Sequence, residues 1–317
     1  MNSDLAVVVD GVEKSFGTVK ALRGISFDVG RGQILGVLGP NGAGKTTMVN
    51  ILSTLIDADR GRASVAGHDV RTEAPSVRRK IMLTGQYAAL DDMLTGAENL
   101  VMFGRLMGMT KREARSRATH LIKEFDLVDA TNRRVGTYSG GMRRRIDIAC
   151  GLVVMPEVVF LDEPTTGLDP RSRQSVWDLV SSFKEFGITT LLTTQYLEEA
   201  DALSDRIIVI DHGTVIAEGT ADELKERTGG SYCEVVPLEL TDMPTIVAEL
   251  GSMLPDEYRT ALLRDADRVV VPAPEGAKTL TEILRRLDCA NIDLRDIALR
   301  RPSLDDVFLS LTGQVAQ

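Results

Sequence analysis

Five apolar residues, Ile34 to Leu38, run directly into Gly39-Pro40-Asn41-Gly42-Ala43-Gly44-Lys45-Thr46-Thr47 and then into a stretch of helical character from Thr46 to Leu55. A buried strand, a loop of G-x-x-x-x-G-K-[ST] spacing and a helix start, in that order, leave few folds open. Such a loop wraps backbone N–H groups around phosphate oxygens, and the helix N-terminus behind it adds a favourable dipole. Lys45 can neutralise the outer phosphates, and the Thr46 hydroxyl can ligate Mg²⁺. The nine residues from Gly39 to Thr47 are therefore the candidate nucleotide-binding set: Gly39, Pro40, Asn41, Gly42, Ala43, Gly44, Lys45, Thr46 and Thr47.

A site of this kind also needs a carboxylate for the metal, at the end of a neighbouring buried strand. Val158-Val159-Phe160-Leu161-Asp162-Glu163 supplies it. Asp162 falls at the strand's C-terminal mouth, where ligands of open α/β sheets bind, and Glu163 is placed to orient or deprotonate an attacking water. Further apolar runs at Thr189–Thr193 and Ile207–Ile210 have the character of strands covered on both faces, with helical stretches between them. The expected class is α/β. No Asn-Lys-x-Asp sequence for reading guanine occurs, which disfavours a GTPase.

Composition narrows the partners. With 37 Lys plus Arg against 46 Asp plus Glu, the chain carries a net charge of −9 and lacks the positive field that non-specific nucleic-acid or anionic-lipid binding needs. The expectation is no nucleic-acid partner and no direct lipid insertion. The longest apolar stretch, Ile148 to Met155, is far short of the ~20 residues of a spanning helix. The N-terminus has no basic region ahead of an apolar one, and the three cysteines are too scattered for a metal or disulfide framework, so a cytoplasmic, reducing location is expected.

Between Thr95 and Val128 the periodicity is helical, and a helical subdomain is expected over about 90–155. Near Gly229-Gly230 the rhythm changes, which places a boundary between residues 1–229 and a small α+β domain over 230–317. In that second part, Tyr232–Val236 and Arg268–Val271 read as strands and Thr245–Leu254 as a helix. Leu280, Ile283, Leu284 and Leu287 fall on one helical face, and Ser303 and Asp306 have capping-box spacing before a last helix. It reads as a packed appendage that stabilises a dimer, without a ligand site.

Tyr138-Ser139-Gly140-Gly141-Met142-Arg143-Arg144-Arg145, leading into a helical stretch, resembles the signature of the ATP-binding cassette (ABC) family. The resemblance implies a phosphate-loop cassette with a mixed sheet core, a helical signature subdomain, ATP and Mg²⁺ as cofactors, and transport-coupled ATP hydrolysis. It extends residue by residue: Phe16 matches the aromatic that stacks on adenine, Gln86 the glutamine linking Mg²⁺ and water to the transport partner, and Asp169 the loop crossing a dimer interface. Ser139, Gly140, Gly141 and Met142 match the segment that meets the γ-phosphate bound by a second subunit. With one phosphate loop and one signature, the chain is expected to act as an ATP-dependent homodimer. Gln195 stands where the family usually has a histidine; a neutral amide can bond the γ-phosphate but adds no positive charge, so slow turnover is expected.

The wording Thr193-Thr194-Gln195-Tyr196-Leu197-Glu198-Glu199-Ala200, with the C-terminal extension, is similar to the daunorubicin/doxorubicin-resistance subgroup. That resemblance implies the ATPase subunit of an export complex, peripheral to the cell membrane through a separate permease. Its cargo would be an anthracycline-like drug or a dimycocerosate-like lipid. The alternative is a soluble cassette ATPase switching on ribosomes or DNA; it usually brings two cassettes in one chain or long coiled coils, and neither is present.

Overall fold

The computed structural model describes residues 4–84, 90–226, 230–253, 267–305 and 307–308. Its contacts divide the chain into two units, Met1–Ala221 and Asp222–Gln317.

The first unit is organised by three short strands with no exposed residue: β3 (Ile34–Leu38), β7 (Val158–Asp162) and β8 (Thr189–Thr194). Strands buried along their whole length are covered on both faces, and the side chains divide accordingly. Leu35, Val37, Val158 and Phe160 join one core with Val7, Met48 and Ile208, whereas Ile34, Val159, Leu161 and Leu192 join a second with Leu100, Ile146 and Val176. β6 (Ile81–Thr84), β9 (Arg206–Asp211) and β10 (Thr214–Gly219) complete a six-stranded sheet in the order β10-β9-β3-β8-β7-β6. All neighbours pair in parallel except the antiparallel hairpin β9/β10.

A separate four-stranded antiparallel sheet lies in the first core. It is built from β1 (Leu5–Phe16), β2 (Val19–Gly30), β4 (Arg60–Val65) and the short β5 (His68–Asp69), in the order β2-β1-β4-β5. The apolar segments 5–9 and 25–29 thus belong to long hairpin strands outside the parallel sheet. α1 (Lys45–Leu52) buries Met48, Val49, Ile51 and Leu52 between the two sheets' shared core residues, and the one-turn α2 (Ala74–Arg78) buries Val77 there.

The helical segment differs from the sequence reading in one respect. In place of continuous helix from Thr95 to Val128 there are two helices, α3 (Gly96–Leu106) and α4 (Lys111–Glu124). The break has a local cause: Gly108 takes a φ of 89°, and Thr110 opens a new helix by capping Glu113, whose carboxylate bonds back to the Thr110 amide. α5 (Gly140–Gly151), α6 (Pro170–Ser182) and α7 (Leu197–Leu203) finish this face.

After α8 (Ala221–Glu226), the second unit contains β11 (Tyr232–Pro237), β12 (Val269–Pro272) and β13 (Leu294–Arg300), an antiparallel sheet in the order β12-β11-β13. α9 (Met243–Glu249) and α10 (Ala277–Cys289) share a core with it through Cys233, Val235, Ile246, Val271, Ile283 and Leu287. Leu284, expected on the buried face of α10, is 41% exposed; the core-facing stripe runs through Leu280, Ile283 and Leu287. Residues 304–305 and 307–308 are helical, and Asp306 of the expected capping box lies outside the described residues. All three cysteines are free thiols.

Candidate functional site

The parallel strands deliver three chemical groups to one end of the sheet. β3 ends in the glycine-rich loop, β7 ends at Asp162 and Glu163, and β8 ends at Thr193 and Thr194, directly beside β3 and β7.

Loop shape is set by two glycines. Gly44 is the N-cap of α1 at φ 107°, and a Cβ there would meet the Ala21 carbonyl oxygen at 2.6 Å and a Leu22 methyl at 2.7 Å. At Gly39 a Cβ would meet the Ile210 carbonyl oxygen at 2.2 Å. These are backbone approaches that only glycine allows. The turn between β9 and β10 is fastened to the same loop, with the Gly213 amide donating to the Ala43 carbonyl at 3.1 Å.

Lys45 is buried, and its ammonium donates to the Gly39 carbonyl at 2.7 Å and the Pro40 carbonyl at 3.1 Å, with Glu163 Oε1 3.6 Å away. Burial pushes its pKa down, and the Glu163 and Asp162 charges oppose that. The ammonium therefore rests on the loop's own carbonyls.

Behind it, Asp162 is 4% exposed and accepts from the Thr193 hydroxyl. The Glu163 amide donates to the Thr193 carbonyl at 3.0 Å, and its carboxylate accepts from Thr166 Oγ1 at 3.3 Å. Glu163 has a φ of 50°, a left-handed conformation that costs a non-glycine residue on the order of 1 kcal/mol or more and that is typical of functional turns.

These groups line a cavity of about 500 Å³. Of the residues singled out in the sequence, Pro40, Asn41, Gly42, Gly44, Lys45, Thr46, Thr47 and Glu163 face it, joined by Thr18, Lys20, Arg23 and His212, which the sequence did not suggest. Gly39, Ala43 and Asp162 are buried beneath. Phe16 ends β1 just before the Gly17-Thr18 turn, half exposed, with the Lys14 ammonium 5.5 Å from its ring centre. Gln86 lies outside the described residues.

The other predicted residues stand apart from this cavity. Ser139 caps α5 by accepting from the Met142 amide at 3.3 Å; Ser139 and Gly140 are exposed, and Gly141 packs against Ser172. Tyr138 is anchored by donating to the Ala130 carbonyl at 2.9 Å. Asp169 caps α6, accepting from the Ser172 amide at 3.0 Å and hydroxyl at 2.6 Å; those bonds hold its carboxyl below the usual range. Gln195 follows β8, half-buried.

One residue quoted in the sequence only as part of a family resemblance proves to be a buried acid. Glu199 on α7 is fully buried and accepts from Thr165 Oγ1 at 2.8 Å and Trp177 Nε1 at 3.1 Å. Burial pushes its pKa up, against hydrogen bonds from Thr165 and Trp177. It ties the turn after Glu163 to α6. Its only signal in the sequence is an acid set beside the apolar Ala200 and Leu203.

No group of three or more His, Cys, Asp or Glu suited to a metal occurs among the described residues. The oxygens at hand, the Thr46 hydroxyl and the Asp162 carboxylate, are hard donors that suit Mg²⁺ provided phosphate and water supply the remaining ligands.

A formed cavity at the strand ends, lined by a glycine-rich loop, has the build of a nucleotide-phosphate site. The ABC transporter family model matches residues 22–166, and that of the DrrA1-3-like C-terminal domain of ATP-binding proteins matches residues 219–312. A doxorubicin resistance ATP-binding protein, DrrA, of Mycobacterium tuberculosis is 64% identical over 313 residues, covering 98% of this chain and 95% of that one. The daunorubicin resistance ATP-binding protein DrrA3 of Streptomyces coeruleorubidus is 54% identical over 313 residues, covering 98% and 97%. Among solved structures, a dimeric post-hydrolysis ATP-binding cassette bound to ADP and Pi matches with a TM-score of 0.61 and 27% identity, over 68% of this chain and 98% of that one. The chain belongs to the DrrA-type ATP-binding proteins of the ABC transporter family, and it is an ATP-binding, ATP-hydrolysing subunit.

Proposed function

We propose that this chain powers an exporter of an anthracycline-like drug or a dimycocerosate-like lipid, working as an ATP-sandwiched homodimer beneath a separate membrane-spanning permease. One observation carries this reading. The phosphate loop lines a formed cavity, while the second anion-binding helix start, at Ser139 and Gly140, is exposed and contributes nothing to that cavity. A surface so arranged can be completed by phosphate held on another chain. The drug half of the cargo and the permease are supported by the drug-resistance names of the relatives, and the lipid half only by the subgroup resemblance of the sequence.

The site residues take these roles. Backbone amides of Gly42, Gly44 and Thr46 cradle the β- and γ-phosphates, and Phe16 stacks on adenine. Lys45 leaves the Gly39 and Pro40 carbonyls for the phosphate oxygens, which frees Glu163 to accept a proton from the attacking water. Thr46, Asp162 and Gln86 would hold Mg²⁺, which supplies charge neutralisation on the phosphates. Thr193 holds the Asp162 carboxylate in register, Gln195 bonds the γ-phosphate, and Asp169 sits at the dimer seam. Ser139, Gly140, Gly141 and Met142 close over the partner's nucleotide.

The test is Glu163→Gln, examined by sizing with and without ATP. An ATP-dependent dimer with arrested turnover is expected, and a monomer that hydrolyses ATP normally would refute both the dimer and the role of Glu163. Co-purification of a multi-span membrane protein supports the export reading, whereas co-purifying ribosomes or DNA would favour the switch reading instead.

A further inference from the structure

α5 carries a second polar anchor besides Ser139. Arg144 lies one turn and a half into the helix with only 12% of its side chain exposed, and its guanidinium reaches both Asp147 and Thr84. One nitrogen is 3.3 Å from Asp147 Oδ2, itself 11% exposed; the other donates to Thr84 Oγ1 at 3.1 Å. Thr84 is buried, ends β6, and pairs across the sheet with Leu161, the residue before Asp162. Burial pushes the Arg144 pKa down, and the carboxylates of Asp147, Glu199 and Asp162 each oppose that, so the guanidinium lies within the field of the metal-site acid and of the Glu199 junction.

We propose that Arg144 is the positioning residue that transmits engagement of the signature helix by a second subunit's ATP to the hydrolytic end of its own sheet. This deepens the dimer reading above and rests on it. A helix start that closes on the partner's phosphate shifts α5 as a rigid body. The guanidinium, bonded at fixed angles to both α5 and the end of β6, carries that shift to the strand ends where Asp162 stands. A lysine keeps the charge but cannot hold both partners in one plane, so the coupling depends on the fork itself. The two nucleotide sites of a dimer are then linked through each chain's Arg144.

The test uses the full-length chain with two conservative variants, Arg144→Lys and Thr84→Val, each removing one side of the fork. Steady-state ATPase against ATP concentration should show the Hill coefficient falling from about two towards one in both variants. In a Glu163→Gln background, the ATP concentration for half-maximal dimerisation should rise about 10-fold. Binding of mant-ATP to the dilute monomer should not change. The Arg144→Lys/Thr84→Val double variant should be no worse than either single one, as expected when both act through one contact. Wild-type cooperativity and dimerisation in both variants, additive losses, or a parallel loss of monomer affinity would each overturn the proposal. Failure of Glu163→Gln alone to dimerise would instead overturn the dimer reading on which it rests, whatever the Arg144 variants do.

Discussion

Two glycine-bearing helix starts in this chain are finished to different degrees. At Gly44 the helix begins in a left-handed glycine with no side-chain cap, wedged against the Ala21 carbonyl, and its first side chain, Lys45, is buried. At Ser139 the helix begins with a side-chain cap on the Met142 amide, in extended backbone that any residue can adopt, and its first residue is exposed. The first is a rigid cradle completed by its own sheet; the second is capped locally and left open to solvent. The same kind of helix start thus ends as a formed cavity or as an open surface according to what the fold packs around it, and on the function proposed above these become the cis and the trans site.

The largest effects should come from the cradle. Lys45→Ala should abolish ATP-dependent transport and reduce ATP binding to the detection limit in a fluorescence titration. Glu163→Gln should lower turnover by about 10²–10⁴-fold while nucleotide still binds. If either left turnover near wild type, the cis site would lie elsewhere.

Paired alanine substitutions sharpen the comparison next. Gly44→Ala forces a side chain into φ 107° against backbone, and should destabilise the protein by about 1–3 kcal/mol, with loss of monomer ATP affinity. Gly140→Ala meets only a Leu168 methyl at 3.4 Å; stability should change by no more than about 0.5 kcal/mol and monomer affinity should hold, but ATP-driven dimerisation should weaken. Equal behaviour of the two variants in thermal melts and titrations would remove the distinction.

A smaller effect is expected at Ser139→Ala. Loss of the cap should cost about 1 kcal/mol, visible as a lowered melting temperature, alongside reduced dimer turnover.

The mildest test addresses the junction behind the cradle. Because burial raises the Glu199 pKa above 4.5, the folded chain binds that proton more tightly than the unfolded chain. Its contribution to stability is greatest below that value and declines as pH rises through the raised one. Glu199→Gln keeps an acceptor for Thr165 and Trp177 and should remove that decline, which melting temperatures across pH 4–8 would register as a flatter profile.

Much of this was legible in the chain as written. The three fully buried strands β3, β7 and β8 announced themselves as apolar runs, and the phosphate loop, Asp162-Glu163 and Ser139-Gly140-Gly141 each lie within one local segment. Strands β4, β6 and β13 were not legible: Arg60–Val65 and Leu294–Arg300 are polar edge-like runs, and Ile81–Thr84 is only four residues long. The helix break at Gly108 was missed because the apolar spacing on either side stays in phase, so periodicity alone carried through a change of direction.

What the sequence by itself determined is therefore the set of groups whose function needs contiguous backbone: an anion cradle is a property of consecutive amides, and a cap is a property of three or four residues. Only the tertiary structure decided which groups meet across the sheet. The order β10-β9-β3-β8-β7-β6 sets Thr193 against Asp162, Glu163 against Lys45, Thr84 against Arg144, and Thr165 against Glu199. Those partners are separated by 31, 118, 60 and 34 residues. A polar pair leaves no periodic trace along the chain, since each partner reads by itself as an ordinary polar residue. Burial then makes every such pair consequential, because a polar group removed from water must find its partner within the fold.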